Sequence, residues 1–440
     1  MTDVEIRPLG PDDDLDAQVD LGKRAFGSGT PAEWVDWRAR ASVLIGQGRF
    51  LGAFVGGRPA GAAAFHDMRQ WWHGRPMPMA GVASVKIAPE YRGRGIGRRL
   101  VGALLDLIAD HGYPVSALYP ATMPIYRSLG WELAGSRYGA AVPSRELRAL
   151  LAPDAALPDD GTALSGGGTA RDLAAAVHAV GVRRAGPADA AEVNAVIGRA
   201  HEATRASGPL TWDTAHVSRW LSREDLFAYL ADDGFVAYQW HDGDRELYVA
   251  SLVTGSPVTA RALWSVLASH SSTAGVIQGR FAPQDPLWWL TRERDVTITR
   301  RSMWMLRVVD APAAIAARGF PPAVALTVPL VIADGIRSSN NGRWELAVGD
   351  GKGTLVPAGA NGANGAHGAN GASAATAGTG LAGAADGKTF TLGARGLAAL
   401  YAGTPVATLR MAGLVSGGTP ETDAALDAAF AAETYILDDF

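Results

Sequence analysis

The chain of 440 residues is too long for one hydrophobic core, and its length predicts about three domains. With 48% hydrophobic and 19% charged residues, a net charge of −4 and no basic block, it is typical of a soluble globular protein, and no nucleic-acid partner is expected. Cysteine is absent and the nine histidines form no pair at metal-ligand spacing, which excludes disulfides and cysteine nucleophiles and predicts no metal site.

The start of the chain, MTDVEIRPLGPDDD, lacks the basic and apolar regions of a secretory signal. No apolar run reaches the roughly 18 residues that a membrane-spanning helix needs. We therefore expect a cytoplasmic protein with no membrane partner.

Residues 1–150 show alternating strand and helix patterns, which predict an α/β domain. A strand (VEIRPLG), a helix (DDDLDAQVDLGKRAF) and a hairpin that turns at Gly56-Gly57 come first. The strand AGVASVKIAP then enters a glycine-rich bend and the helix IGRRLVGALLDLIADHG, for which Gly112 is the expected C-cap. The strand YPVSALYP and the short helix MPIYRSLGW complete the domain.

A second copy of this pattern follows in the chain. The segment from Arg183 (RRAGPADAAEVNAV) matches the one from Arg7 (RPLGPDDDLDAQV), with Asp189 at the place of Asp13. Such a repeat predicts a second domain of the same fold at residues 181–308. Its segment VTGSPVTARA lacks the arginine–glycine bend of the first copy, so we expect this domain not to hold a cofactor.

Composition sets apart the remaining segments. Residues 151–180 are small and polar and are expected to be a connector. Residues 309–440 contain longer strands and further helices, which predict a third, α+β domain. Within it, residues 357–387 are rich in Gly, Ala and Asn without bulky apolar side chains, so this insertion is expected to be disordered.

The clearest functional signal is the bend in VASVKIAPEYRGRGIGRRLV. Glycines let the backbone approach a ligand, and the N–H groups at a helix start can hold a pyrophosphate, with arginines adding positive charge. A solvated tight turn and a dinucleotide-binding fingerprint are the alternatives, but the spacing here is Arg-x-x-Gly-x-Gly rather than Gly-x-Gly-x-x-Gly.

This string resembles the acyl-CoA signature of the GNAT superfamily. The resemblance implies acetyl-CoA as co-substrate and assigns the thioester and the pantetheine arm to the backbone amides of Val85 and Ile87. The residues it assigns to the pyrophosphate are Arg92, Gly93, Arg94, Gly95, Ile96 and Gly97.

A narrower resemblance follows from YPVSALYPATMPIYRSLGWELAG, from LWSVLASHSSTAGVI in the second copy and from the aromatic last residue. Together they are similar to the Eis (enhanced intracellular survival) N-acetyltransferases. The resemblance implies a mixed α/β (α+β) fold class, with tandem GNAT folds followed by a sterol-carrier-protein-like domain, and a homohexamer. It also implies acetylation of the amines of a cationic small molecule, aminoglycosides included, and antibiotic resistance as a consequence.

Acetyl transfer needs a neutral amine and a proton for the departing thiolate. An amine with a pKa near 10.4 is neutral in only about one molecule in 2,500 at pH 7. Tyr126, in MPIYRSLGW, stands where GNAT enzymes place their general acid, so the resemblance assigns to it the protonation of the CoA sulfur. A core tyrosine with a satisfied hydroxyl is the alternative.

The same resemblance places the acceptor pocket beside the first helices. Phe26, Trp34 and Trp37 are candidates for its wall, and Ser84 stands where a bulkier aromatic residue is expected. Antibiotic-modifying members gather acidic residues here, whereas GKRAFGSG contains none, which argues against a polycationic acceptor. Protein lysines, polyamines and a biosynthetic metabolite stay open as acceptors, and a lipid-binding protein with a vestigial first domain is a further alternative.

Eis enzymes also end at an aromatic residue whose terminal carboxylate acts in the catalytic cleft. By that resemblance the carboxylate of Phe440 serves as base or orients the substrate ammonium, and Asp439 contacts the substrate. The apolar side chains of Tyr435, Ile436 and Leu437 predict that this tail is anchored rather than frayed.

Overall fold

The computed structural model describes residues 4–27, 29–151, 170–241, 243, 245–291, 296–359 and 389–440. The insertion predicted at residues 357–387 lies almost entirely outside the described residues, as does most of the predicted connector. Within the described ranges, no helix is both long and apolar enough to cross a membrane.

The first part of the chain alternates strands and helices in the predicted order, with a short 3₁₀ turn at Pro89–Tyr91. Its elements are β1 (Val4–Pro8), α1 (Leu15–Phe26), α2 (Pro31–Gly46), β2 (Phe50–Val55), β3 (Arg58–Trp72), β4 (Arg75–Ile87), α3 (Ile96–Asp110), β5 (Val115–Leu118), α4 (Met123–Arg127), β6 (Glu132–Pro143) and α5 (Ser144–Leu151).

The middle part begins with a helix in the predicted connector, because ARDLAAAVHA consists largely of good helix formers. Its elements are α6 (Ala170–Ala179), β7 (Arg183–Ala185), α7 (Ala190–Ala203), β8 (Leu210–Thr211), α8 (Thr214–Leu221), β9 (Phe227–Ala231), β10 (Gly234–His241), β11 (Glu246–Thr254), α9 (Pro257–Ala268), β12 (Val276–Phe281), α10 (Leu287–Leu290) and β13 (Thr297–Val308).

The last part combines a sheet of strand order β16-β15-β14-β17-β18 with four helices among its described residues. Its elements are α11 (Ala311–Ala317), β14 (Leu326–Ala333), β15 (Gly342–Gly349), β16 (Lys352–Pro357), β17 (Phe390–Gly393), α12 (Ala394–Tyr401), α13 (Val406–Met411), β18 (Val415–Ser416) and α14 (Pro420–Phe430).

These elements form two compact units that interleave along the sequence. One unit consists of residues 1–66, 78–134 and 305–432, and the other of residues 67–77, 135–304 and 433–440.

In the first unit, the strand order β1-β2-β3-β4-β5 is extended by the end of β13. Neighbouring residues of β3 alternate between two apolar clusters, because successive side chains of a strand point to opposite faces. Ala63 and Phe65 pack in the cluster of α3, whereas Ala62 and Ala64 pack in the cluster of α1 and α2. The sheet is thus covered by helices on both faces.

In the second unit, the strand order is β6-β12-β11-β10-β9-β7. The repeated sequence forms the same turn in each unit, with an arginine and a backbone N–H group donating to one aspartate. The shared bonds are Arg7–Asp13 and Gly10–Asp13 in the first unit, and Arg183–Asp189 and Gly186–Asp189 in the second. The predicted repeat is therefore confirmed at the level of single hydrogen bonds.

Candidate active site

Strand β4 separates from β5 before it ends. The parallel ladder between the two strands covers Met79–Gly81, whereas β4 continues to Ile87. The N–H group of Ala88 bonds to the carbonyl of Ala60 in β3 at 2.9 Å, so the alternating backbone groups of Ile87 and Val85 face away from β3. Amides that face such an opening can bond a thioester oxygen and a pantetheine amide.

Ser84 marks the point at which β4 leaves regular strand geometry. Its φ is +55°, in the left-handed region that residues other than glycine rarely adopt. The sequence assigned Ser84 to the acceptor pocket through its side chain, whereas the structure shows a backbone irregularity that directly precedes the amide of Val85. Its contact with an acceptor stays a prediction.

The bend between β4 and α3 requires glycine at two positions. Gly93 has a φ of +73° and Gly95 a φ of +76°, and a Cβ atom at either would have no neighbour within 4 Å, which leaves room for a ligand. Gly97 differs, because a Cβ atom there would lie 3.0 Å from the side chain of Ile125 and 3.5 Å from that of Ile87. Its lack of a side chain allows α3 to pack closely against β4.

The N-terminus of α3 is open to an anion. Gly95 is its N-cap, and none of the side chains that the structure describes accepts a hydrogen bond from the first turn. The N–H groups of Ile96 and Gly97 therefore remain available, and the helix dipole adds partial positive charge there.

Two exposed arginines add full charges beside this helix end. The Nε atom of Arg92 lies 3.3 Å from the carbonyl oxygen of Ile87, and the Arg94 guanidinium lies 5.5 Å from the ring centroid of Tyr91. The uncapped helix, the open space at the glycines and these cations fit the pyrophosphate of a CoA thioester.

Tyr126 lies in α4, with its ring buried and 6.3 Å from that of Trp131. Burial raises the pKa of Tyr126 to about 12, so the phenol is protonated at neutral pH. None of the described residues forms a hydrogen bond with its hydroxyl. This argues against a core tyrosine with a satisfied hydroxyl and leaves a proton donor available.

The aromatic residues predicted for the acceptor side lie on α1 and α2. The rings of Trp34 and Trp37 are 6.1 Å apart, and Phe26 is 63% exposed at the end of α1. A lysine lies over each tryptophan: the Nζ atom of Lys23 is 5.9 Å from the Trp34 ring and that of Lys86 is 4.3 Å from the Trp37 ring. Lys23 therefore brings a positive charge to this aromatic group.

Lys86 is a residue that the sequence patterns did not single out. Its Nζ atom donates to the carbonyl oxygen of Gln18 at 2.7 Å, and the side chain is 3% exposed. Burial lowers the pKa of Lys86 to about 7. The signal that could have revealed it is a single lysine in the otherwise apolar strand AGVASVKI.

The last residues of the chain are held within the second unit by two arginines. Arg137 donates to the carbonyl oxygen of Leu437 at 2.7 Å and to the carboxylate of Asp439 at 2.5 Å, and Arg280 also pairs with Asp439. These guanidinium groups give Asp439 an anchoring role. Its contact with substrate and the catalytic role of Phe440 stay predictions.

Two glycines let the tail backbone pack closely. A Cβ atom on Gly135 would clash with the backbone of Thr434, and one on Gly208 would clash with that of Tyr435. Ile436 is fully buried. The tail is therefore anchored, as its apolar residues predict.

Three families match the chain. An Acetyltransferase (GNAT) domain matches residues 5–134, a second family of the same description matches residues 208–308, and a Sterol carrier protein domain matches residues 311–437. Fold and site together define a GNAT acetyltransferase, in which the first domain carries an intact acyl-CoA signature.

The comparison with individual proteins narrows this class. N-acetyltransferase Eis of Mycobacterium tuberculosis is 30% identical over 326 residues, which cover 70% of this chain and 73% of the relative. The chain belongs to the Eis family of N-acetyltransferases. This confirms the predicted enzyme class and family.

Solved structures agree over the whole chain. A GCN5-related N-acetyltransferase from Kribbella flavida is 41% identical, with a TM-score of 0.84 and coverage of 100% of this chain and 99% of that one. Eis1 from Mycobacterium abscessus shares the fold at 23% identity, with a TM-score of 0.70 and coverage of 99% and 100%. The predicted fold class, two GNAT folds and a sterol-carrier-like domain, is confirmed.

Proposed function

We propose that this acetyltransferase passes the acetyl group of acetyl-CoA directly to the amine of a small molecule within a ternary complex. The observation that carries the proposal is the arrangement along β4, α3 and α4 of the first unit. Backbone amides of β4 face an opening, the N-terminus of α3 is uncapped, and a buried, protonated Tyr126 follows in the chain.

In the proposed reaction, a neutral amine attacks the thioester carbon, a C–N bond forms, and the carbonyl oxygen gains negative charge. The N–H groups of Val85 and Ile87 stabilise that charge. When the C–S bond breaks, the thiolate takes a proton from the hydroxyl of Tyr126, and the phenolate then regains a proton from solvent. The amine loses its own proton to solvent or to a carboxylate such as the predicted one of Phe440.

The charge on the acceptor side favours one class of amine. Lys23 lies over Trp34 of the predicted pocket wall and repels additional cationic groups on an acceptor, and Lys86, over Trp37, adds to this repulsion in the molecules in which it is protonated. A small metabolite with one reactive amine and few other positive charges fits this wall better than an aminoglycoside or a polyamine.

This acceptor class is tested by the rate of free CoA release from acetyl-CoA with a panel of amines. The panel contains an aminoglycoside, a polyamine, a lysine peptide and neutral or anionic monoamines. We expect the highest kcat/KM among the monoamines. A clear preference for the aminoglycoside would contradict the electrostatic argument but leave the acetyl transfer intact.

The role of Tyr126 is tested by Tyr126→Phe, which keeps the ring and removes the hydroxyl. We expect kcat to fall by roughly 10²–10⁴ because general-acid assistance is lost, with an unchanged KM for acetyl-CoA. Tyr113→Phe is the control, since Tyr113 is a buried tyrosine of the same core cluster. Parental kcat in Tyr126→Phe would show that solvent protonates the thiolate.

A further inference from the structure

The helix that carries Tyr126 needs support from the rest of the fold. α4 has only five residues, and no side chain caps its N-terminus. A helix of one turn is unstable by itself, because the free energy of its few hydrogen bonds does not offset the entropy lost in nucleating the helix. The position of the phenol therefore depends on contacts made by its neighbours.

One set of these contacts starts at Arg127, the next residue. Its Nε and Nη2 atoms donate to Oε1 of Glu132 at 2.9 and 2.7 Å, and the N–H group of Leu133 donates to the same oxygen at 2.9 Å. The Glu132 side chain is 5% exposed. Burial would raise the pKa of Glu132, but the bonds from Arg127, Leu133 and Arg395 lower it overall, so the group is a carboxylate.

The second oxygen of Glu132 is held by the sterol-carrier-like domain. The Nε and Nη2 atoms of Arg395, in α12, lie 2.6 and 2.5 Å from Oε2 of Glu132. Close backbone packing supports this contact, since Gly130 has a φ of +93° and a Cβ atom there would lie 2.8 Å from Ala394 and from the guanidinium of Arg307. One carboxylate thus bridges the loop after α4 and α12 within the first unit.

We propose that Arg395 is a positioning residue for acetyl transfer: through Glu132 it fixes Arg127, and with it α4 and the Tyr126 hydroxyl. The inference rests on the proposed role of Tyr126, and it gives the sterol-carrier-like domain a part in the reaction of the first domain. An exposed ion pair contributes little to stability, but Glu132 is buried. Loss of one arginine therefore leaves the negative charge of Glu132 incompletely compensated, and the loop after α4 is free to shift.

The test compares Arg395→Met with Arg337→Met. Arg337 also joins the sterol-carrier-like domain to the first domain, through Asp106 of α3 at 3.1 Å, and this ion pair does not include Arg127 or Glu132. We expect Arg395→Met to lower kcat at least about tenfold, since small displacements of a catalytic group are costly, with the KM for acetyl-CoA within about twofold. Arg337→Met should retain the parental kcat. Equal effects of the two variants would overturn the inference.

A second measurement separates positioning from general destabilisation. In the Tyr126→Phe background no phenol remains to be positioned, so Arg395→Met should lower kcat less than about twofold further. A full loss in both backgrounds would overturn the inference while Tyr126 keeps its role. Parental activity in Tyr126→Phe alone would overturn both.

A conservative variant keeps the test valid if Arg395→Met folds poorly. Arg395→Lys retains the charge but donates from one point rather than from a planar fork. We expect its kcat to lie between those of the parent and of Arg395→Met. A parental kcat of Arg395→Lys would overturn the inference even where Arg395→Met does not fold.

Discussion

Lys86 and Ser84 occupy alternate positions on β4, and each has a conformation or environment that is unusual for its residue type. Ser84 adopts a left-handed backbone, and the ammonium of Lys86 is buried between the carbonyl of Gln18 and the ring of Trp37. A lysine in water has a pKa near 10.4, and burial lowers that of Lys86 to about 7. The protonation of this side chain is therefore linked to folding.

The sign of this linkage gives a prediction for Lys86→Met. Because the folded pKa lies below the unfolded one, the unfolded chain binds more protons between about pH 7 and 10, and Lys86 makes stability rise with pH over that window. Below pH 7 the ammonium is charged in both states and its full burial cost applies. We expect the unfolding midpoint of the parent, relative to Lys86→Met, to rise steadily from pH 7 to 9.5.

The measurement is a set of urea or thermal unfolding curves for both proteins at matched pH values. A difference between parent and variant that stays constant from pH 7 to 9.5 would show that the Lys86 ammonium is solvated in the folded protein. Any offset at a single pH is uninformative, because the variant also loses the bond to Gln18.

At the scale of elements, α3 and α9 follow the same kind of strand but begin differently. Each helix follows a strand that continues beyond its parallel pairing. β4 pairs with β5 over Met79–Gly81 only, and β11 pairs with β12 over residues 246–249 only. The N-cap of α3 is a glycine without a side-chain bond, whereas the Ser256 hydroxyl accepts the N–H group of Thr259 in α9.

Two further features make the start of α9 less suited to bind an anion. Pro257, its first residue, has no N–H group to offer, and the carboxylate of Asp233 bonds the hydroxyl of Thr259 at the same helix end. The start of α9 thus carries a side-chain cap and a neighbouring carboxylate. We therefore predict that the second GNAT-like domain does not bind a pyrophosphate at this helix end.

This contrast predicts one acetyl-CoA site per chain. Isothermal titration calorimetry should give a stoichiometry near one, because the start of α3 presents uncapped N–H groups to a pyrophosphate after the arginine–glycine bend, whereas the start of α9 is capped. Gly95→Val is the control variant, since valine disfavours a φ of +76° and its side chain would enter the open space. Two sites in the parent, or one persisting in Gly95→Val, would contradict the assignment.

On the scale of the whole molecule, a buried ion pair joins the end of β13 to the sterol-carrier-like domain within the first unit. Arg307 and Asp334 lie 2.6 Å apart and both side chains are 0% exposed. Asn340 donates to the same aspartate at 3.0 Å and accepts the N–H group of Ala311 at 2.9 Å. The passage of the chain from β13 into this domain is thus held by a fully buried polar network.

Removing one member of this network should lower the free energy of unfolding. Asp334→Leu leaves the Arg307 guanidinium buried without its carboxylate, and we expect a loss of about 3–5 kcal/mol in the free energy of unfolding. The double variant Arg307→Met/Asp334→Leu removes both charges and should be less destabilised than the single variant. Urea unfolding of the parent, Asp334→Leu, Arg307→Met and the double variant measures this, and a double variant that loses the sum of both single effects would refute the coupling.

Local sequence determined the elements and the cofactor signature of this protein. Apolar spacing predicted α3, glycines predicted the bend that contains Gly93 and Gly95, and the match between Arg7 and Arg183 predicted the repeated fold. These features follow from neighbours in the chain, because helix periodicity, glycine's freedom at positive φ and a turn closed by one aspartate act over a few residues.

Tertiary structure alone decided which side chains are buried and which distant charges meet. The pKa of Lys86 depends on helices that cover it, and Glu132 meets Arg395 across 263 positions of sequence. The helix at residues 170–179 and the grouping of residues 67–77 with the second unit were also not predicted by the sequence patterns. Desolvation and ion pairing depend on distance in space, and a sequence pattern records distance along the chain.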